Sequence, residues 1–233
     1  MEIFMHEYTV IDHPKHKILF WVAISSMGLS SLISTRIQPW IQEVLNAPVI
    51  ATLSISGVTI FYGLYLLLNL VIWKIPLFRT IFHFPSLEGE WECYGISNNT
   101  RLNKQFEWYG TITIRQTWDK ILITLKTKNS TSNSLSTTGG IKYYAGVGYK
   151  LSYHYENNPS ANSDKDLHKH EGFCILTFNE DEKTAEGCYF NNMKDRQSYG
   201  EMKLKRRKKE KWPILTTLKD WIISKKEDKK MAG

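Results

Sequence analysis

Seven histidines, three cysteines and 23 carboxylates are the groups of this chain that could ligate a metal or move a proton, and their spacing argues against most of that chemistry. The one close histidine pair, His168 and His170, supplies two ligands two residues apart, which alone is weak support for a metal centre. Cys93, Cys174 and Cys188 make an odd number with no CxxC spacing. That points away from a disulfide framework and a zinc site, and toward a reducing compartment. No serine sits in a nucleophile-elbow context, no phosphate-binding loop occurs, and no GxGxxG follows a strand pattern. The expectation is a protein without catalytic residues, metal or cofactor, and not an enzyme.

Binding chemistry is better represented. Thr127, Lys128, Asn129, Ser130, Thr131, Ser132, Asn133 and Ser134 form a run dense in hydroxyls and amides, able to bond a phosphate or a base edge. The same composition also describes a flexible polar hairpin. Tyr149, Tyr153 and Tyr155 share one strand parity, a stripe that can stack on bases or simply face a core or an interface.

These groups need a scaffold, and from Leu87 to Arg206 the sequence has the texture of strands. Phe106, Trp108, Gly110, Ile112 and Ile114 alternate with Glu107, Tyr109, Thr111, Thr113 and Arg115, the period of two expected of a half-buried strand. The same reading suits 90–95, 120–127, 141–147, 149–155, 172–178, 185–191 and 199–206. Asp119 with Lys120, Gly139 with Gly140, and Asn179 to Lys183 are tight-turn candidates. About eight antiparallel strands over residues 84–206 fit a small up-and-down barrel, whose closure removes sheet edges; a β-sandwich is the alternative.

Ahead of this domain, residues 1–80 read as a transmembrane helical hairpin. Ala47 to Trp73 is 27 residues without Lys, Arg, Asp, Glu or His, more than the roughly 20 needed to cross a bilayer core. Ile18 to Thr35 is a second uncharged run, 18 residues long, too long for a typical signal-peptide core and lacking a small-residue cleavage site after it. Lys15 and Lys17 before the first span, and Lys74 and Arg79 after the second, outnumber the lone Arg36 between them. Both ends of the hairpin are therefore expected in the cytoplasm. Ser26, Ser30 and Ser34 put small side chains on one helix face, suited to close packing against the partner span or against another protomer.

Charge is unevenly divided: 5 basic and 4 acidic residues in 1–80, 13 and 15 in 81–202, and 12 and 4 in 203–233. The middle domain thus lacks the extended positive surface that DNA or RNA binding requires. The basic excess lies in the tail, 207–233, where Trp212, Leu215, Leu218 and Ile222 recur at near-helical spacing among lysines. That segment reads either as an amphipathic stretch on anionic lipid or as a solvated tail.

Read in order, the fragments form one pattern: Leu87-x-Gly89-x-Trp91; Trp108-x-Gly110-x-Ile112-x-Ile114-x-Gln116-x-Trp118; Thr127 with Ser130, Ser132 and Ser134; Leu151-x-Tyr153-x-Tyr155-x-Asn157-x-Pro159; His170-x-Gly172; Gly187-x-Tyr189-Phe190-Asn191; and Gly200-x-Met202-x-Leu204. Behind a helical hairpin, this pattern resembles the two-transmembrane, β-strand-rich effectors of bacterial CBASS antiphage systems, the CD-NTase-associated protein 15 family. The resemblance covers about residues 15–206. It implies a lipocalin-like barrel in the cytosol that senses a cyclic dinucleotide made by a CD-NTase. It also implies oligomerisation on binding and spans that disrupt the bacterial inner membrane, ending in abortive infection. By that resemblance Thr127, Ser130, Ser132, Ser134, Tyr153, Tyr155, Asn157, Tyr189, Asn191 and Arg196 are the ligand-binding candidates, whereas Gly89, Trp91, Gly110 and Trp118 look structural. The competing expectation is a membrane-tethered barrel that binds another small ligand or a protein partner and leaves the membrane intact.

Overall fold

The protein is seen here as a computed structural model that describes residues 5–37, 40, 43–44, 57–99, 103–128, 133–158, 170–193 and 196–207, with side chains for all of these except 37, 158, 192, 193, 196 and 197. Eight long strands follow one another after the helices: β3 (Gly89–Asn99), β4 (Lys104–Gln116), β5 (Lys120–Thr127), β6 (Asn133–Tyr144), β7 (Gly148–Asn158), β8 (His170–Phe178), β9 (Thr184–Met193) and β10 (Arg196–Arg206). Each pairs antiparallel with its neighbour in sequence, β10 returns to β3, and β5 meets β6, so the sheet is a closed eight-stranded barrel. Strand alternation builds its core: in β8, His170, Gly172, Cys174, Leu176 and Phe178 are buried while the residues between them are half-buried or exposed.

Two features depart from the sequence expectation. β6 begins at Asn133 and ends at Tyr144, so Ser134 is a strand residue and the expected strand at 141–147 lies mostly too late. Gly139 and Gly140 are not a turn; they pair with Tyr153 and Ser152 inside the ladder. The small side chains serve packing there, since a Cβ on Gly139 would stand 3.2 Å from the Ser152 carbonyl and from Tyr153 Cβ.

The second departure is two short strands, β1 (His6–Glu7) and β2 (Thr9–Val10), absent from the sequence reading. Among the described residues three pairs, Thr124–Leu135, Leu125–Ser134 and Lys126–Asn133, join β5 directly to β6. Below them the two strands part, and the N-terminal segment fills the gap: His6 and Glu7 pair antiparallel with Ile121 and Lys120, while Thr9 and Val10 pair parallel with Gly140 and Ile141. Tyr8, buried between them, donates its hydroxyl to the Thr117 carbonyl at 3.1 Å and accepts from Gln116 Nε2 at 2.9 Å. Gln116, itself buried, also donates to the Pro85 carbonyl and accepts from the Leu87 amide. Four residues after β2, helix α1 (Lys15–Leu32) begins, and it continues into one wider turn at Ile33–Ile37.

Helix α2 (Gly57–Leu70) packs along α1 and leads through a tight turn, Ile72–Lys74, into the short α3 (Pro76–Phe82). The apolar helical stretches Lys15–Arg36 and Gly57–Lys74 have the length to cross a bilayer, and only 6% of one and 11% of the other is buried, unlike the core helices of a soluble domain. Their ends are fixed to the β4–β5 turn. Asp119 binds Lys15 and accepts from the Tyr65 hydroxyl at 2.8 Å, and Asn69 accepts from the amides of Trp118 and Asp119. Burial works against ionising Asp119, but the bonds from Lys15 and Tyr65 prevail and hold its carboxyl below the usual range. Asn69 is thus a joint between helix and barrel.

Candidate functional site

Antiparallel order puts the β4–β5, β6–β7 and β8–β9 turns at the helix end of the barrel and the remaining connections at the other end. The inward parity of each strand grades between these ends. On β7 it runs Leu151, Tyr153, Tyr155, Asn157; on β8, from the opposite direction, Phe178, Leu176, Cys174, Gly172, His170; on β10, Leu204, Met202, Gly200, Ser198. Apolar side chains such as Trp91, Ile112, Leu151, Leu176 and Phe178 pack the barrel interior toward the helix end. Polar and aromatic groups line a cavity of about 340 Å³ that opens at the far mouth, a size within the roughly 300–1,000 Å³ of small-molecule sites.

Two polar chains organise the wall. Ser134 donates to Asn157 Oδ1 at 3.2 Å, and Asn157 Nδ2 lies 3.4 Å from His170 Nδ1, linking β6, β7 and β8 at the rim. One layer deeper, Tyr155 donates to Asn191 Oδ1 at 2.5 Å and Asn191 Nδ2 donates to Ser198 at 2.8 Å. Tyr155 reaches Asn191 across Gly172, which lies between them in the ladder; a Cβ there would stand 2.5 Å from Tyr155 Cζ and 2.6 Å from Asn191 Oδ1. Gly95 plays the same part for Trp108, whose indole lies flat over it and donates to the Tyr189 hydroxyl at 3.1 Å. Burial raises the phenols of Tyr153, Tyr155 and Tyr189 above their ordinary values, so all three stay protonated donors at neutral pH. It also pushes the Cys93 and Cys174 thiols up to about 12, which makes them packing groups and not nucleophiles.

Seven of the ten sequence candidates line this cavity: Thr127, Ser134, Tyr153, Tyr155, Asn157, Tyr189 and Asn191. Ser130 and Ser132 lie outside the described residues, and so does the side chain of Arg196, whose backbone begins β10 at the mouth end. Among the described lining residues there is no Lys or Arg; Lys126 and Lys128 are exposed and do not contribute. Sequence reasoning missed Ser97, Asn99, Phe106, Trp108, His170 and Ser198 as lining residues. Part of the signal was available in the inward parity itself, which turns polar toward the mouth at Ser97 and Asn99 of β3, His170 of β8 and Ser198 of β10. Trp91 and Trp118 are buried as expected of structural residues.

Known proteins resemble this chain in sequence. A family model described as "Cap15, cyclic dinucleotide receptor domain" matches residues 82–206. A protein of Yersinia aleksiciae named CD-NTase-associated protein 15 is 35% identical over 210 residues, covering 86% of this chain and 97% of that one. Among solved structures, a DUF3598-family protein of unknown function from Nostoc punctiforme aligns over 52% of this chain and 48% of its own, with 9% identity and a TM-score of 0.32. The barrel that carries the cavity is the segment the family model spans, and with so close a relative covering the helices too, the chain belongs to the Cap15 family.

Proposed function

We propose that this protein is a membrane-anchored receptor for a cyclic dinucleotide supplied by a CD-NTase, acting as an effector of CBASS antiphage defence. The observation that carries the reading is a barrel filled with apolar side chains at the end joined to two apolar helices and open at the other into a cavity lined by polar and aromatic groups. Such a ligand presents two flat bases and two phosphates. Trp108, Tyr153, Tyr155 and Tyr189 offer ring surface to bases, and Ser97, Thr127, Ser134, Asn157 and Ser198 offer neutral hydrogen bonds to phosphate oxygens. By family resemblance Arg196, Ser130 and Ser132 are proposed as further ligand contacts.

In this reading both helices cross the inner membrane, with the barrel and both termini in the cytoplasm. Occupancy favours self-association, and the assembled spans disrupt the bilayer. The test is calorimetry of the full chain in lipid nanodiscs against a panel of cyclic dinucleotides, followed by dye release from vesicles. Saturable binding by one ligand and ligand-dependent release are expected; no binding by any cyclic dinucleotide overturns the reading. The lack of a cation among the described lining residues favours one rival, a neutral small ligand, which binding of an uncharged compound in the same assay would support.

A further inference from the structure

We propose that the helix end of the barrel is seated on the cytoplasmic bilayer surface by a second contact, made by the outer face of α3 together with the β6–β7 turn. The inference rests on the reading that α1 and α2 cross a membrane. In α3, Phe78 and Phe82 face inward, ringing His13 and Phe84 at centroid distances of 4.9–6.3 Å. One residue out of phase with them, Leu77 and Ile81 stand side by side on an outward face, 69% and 60% exposed, and Ile75 just ahead of the helix is 45% exposed. Two exposed aliphatic groups on a seven-residue helix, with a third just ahead of it, are a costly surface to leave to water.

The helix cannot roll to hide them. Arg79 is clamped to Glu182 of the β8–β9 turn at 2.5 Å, and His83 stacks on Tyr143 with centroids 4.5 Å apart and planes 5° from parallel. Tyr143 is next to Tyr144, the last residue of β6 and 42% exposed, and Val147 in the turn that follows is 56% exposed. Lipid is the occupant because this surface continues a lipid-crossing element. Only Ile75 separates Lys74, the last residue of the second apolar stretch, from Pro76. Lys15, where the first stretch begins, is tied to Asp119 on the same end of the barrel. A helix of this length, lying flat, places Leu77 and Ile81 at the headgroup boundary, the depth that amphipathic interfacial helices occupy. Lys142, its ammonium 5.1 Å above the Tyr144 ring, adds a cation where anionic headgroups would lie.

The test places an environment-sensitive NBD label on single cysteines in the full chain carrying Cys188→Ser, reconstituted in phosphatidylcholine–phosphatidylglycerol vesicles. The label positions are Leu77→Cys, Ile81→Cys and Val147→Cys, with Tyr62→Cys inside α2 and Phe190→Cys near the mouth end of β9 as references. Lipids brominated near the headgroup are expected to quench labels at 77 and 81 at least about twofold more than at 190, and lipids brominated deep in the acyl chain to quench the label at 62. Quenching at 62 without quenching at 77 and 81 overturns the seating while sparing the crossing. If those two labels are also shielded from aqueous iodide, a second protein copy covers the face instead. No quenching at 62 overturns the crossing itself, and the proposal with it.

Discussion

Gly172→Ala is the sharpest probe of the proposed site, because the residue lies beneath two of its wall side chains, Tyr155 and Asn191. An added Cβ would stand 2.5 Å from Tyr155 Cζ and 2.6 Å from Asn191 Oδ1, whereas ordinary contacts need about 3.4 Å. Ring and carboxamide must therefore separate by roughly 0.8 Å, which breaks the 2.5 Å bond between them and loosens Asn191 from Ser198. Overpacking costs about 1–3 kcal/mol and the lost bond about 1, while replacing a strand glycine returns roughly 0.5–1, so a net destabilisation of about 1–3 kcal/mol is expected. The effect on ligand is separate from the effect on folding. Two wall groups lose their alignment, and at about 1.4 kcal/mol per decade an affinity loss of at least tenfold follows. Gly140→Ala is the matched control, since a Cβ there meets nothing closer than 3.5 Å. Calorimetry with the active cyclic dinucleotide, beside thermal melting of the unliganded protein, separates the two effects. A folded Gly172→Ala protein with unchanged affinity would refute the assignment of the Tyr155–Asn191 wall to the site.

Other consequences are open to measurement. Tyr8→Phe strands one buried Gln116 N–H and the Thr117 carbonyl, a cost of about 1–3 kcal/mol, and should raise hydrogen exchange at Ile11 and Ile141 while leaving the mouth strands protected. His13 is held down to about 4, by burial first and by Lys15 second, against an ordinary value of 6.5. Between those values the unfolded chain binds the extra proton, so the stability His13 contributes is complete above pH 6.5 and is lost as pH falls toward 4. With allowance for its partial exposure this amounts to about 1–2 kcal/mol, and His13→Gln should flatten the slope of melting temperature against pH over that window; an unchanged slope contradicts the assignment. Inserting four Gly-Ser residues between Ile11 and Pro14 should leave ligand affinity intact yet reduce ligand-driven dye release. Equal release from the two proteins would exclude the N-terminal segment as the coupler.

How much of this was legible in the sequence follows from what each feature rests on. Strand period and charge-free length are local, so the barrel, its strand count and the paired helices could be read directly from residues such as Phe106 to Arg115 and Ala47 to Trp73. β1 and β2 could not, because two-residue strands have no period and owe their existence to a gap between β5 and β6 that closure creates. Gly139-Gly140 carried a turn signature that tertiary packing overrode, as Tyr153 and Thr9 approach the backbone there. For the site, Tyr153, Tyr155 and Asn157 were visible as one parity of one strand, whereas Trp108 and His170 join them only through the register of the closed sheet.

The place of the N-terminal segment bears on how a distant mouth could act on a membrane. A ligand shifts a two-state equilibrium only by its preference for one state, and moving 1:99 to 99:1 takes about 10⁴-fold, or 5.5 kcal/mol. Strain of that size is released at the weakest join. Among the described residues of the barrel that join is β5–β6, held directly by three residue pairs, while β3 is paired to β4 along its whole length. Leu125, Thr127 and Ser134 of this seam line the cavity, and Ser136, one strand period below Ser134, bonds both His6 and the Ile123 amide at 2.8 and 2.9 Å. A ligand that draws the seam together or spreads it at the mouth therefore acts on the wedge beneath, and the wedge is four residues from Lys15, where α1 starts. α2 is fixed to the β4–β5 turn through Asn69 and Tyr65, so motion of the wedge would move one helix against the other and change the face the pair offers to a neighbouring copy.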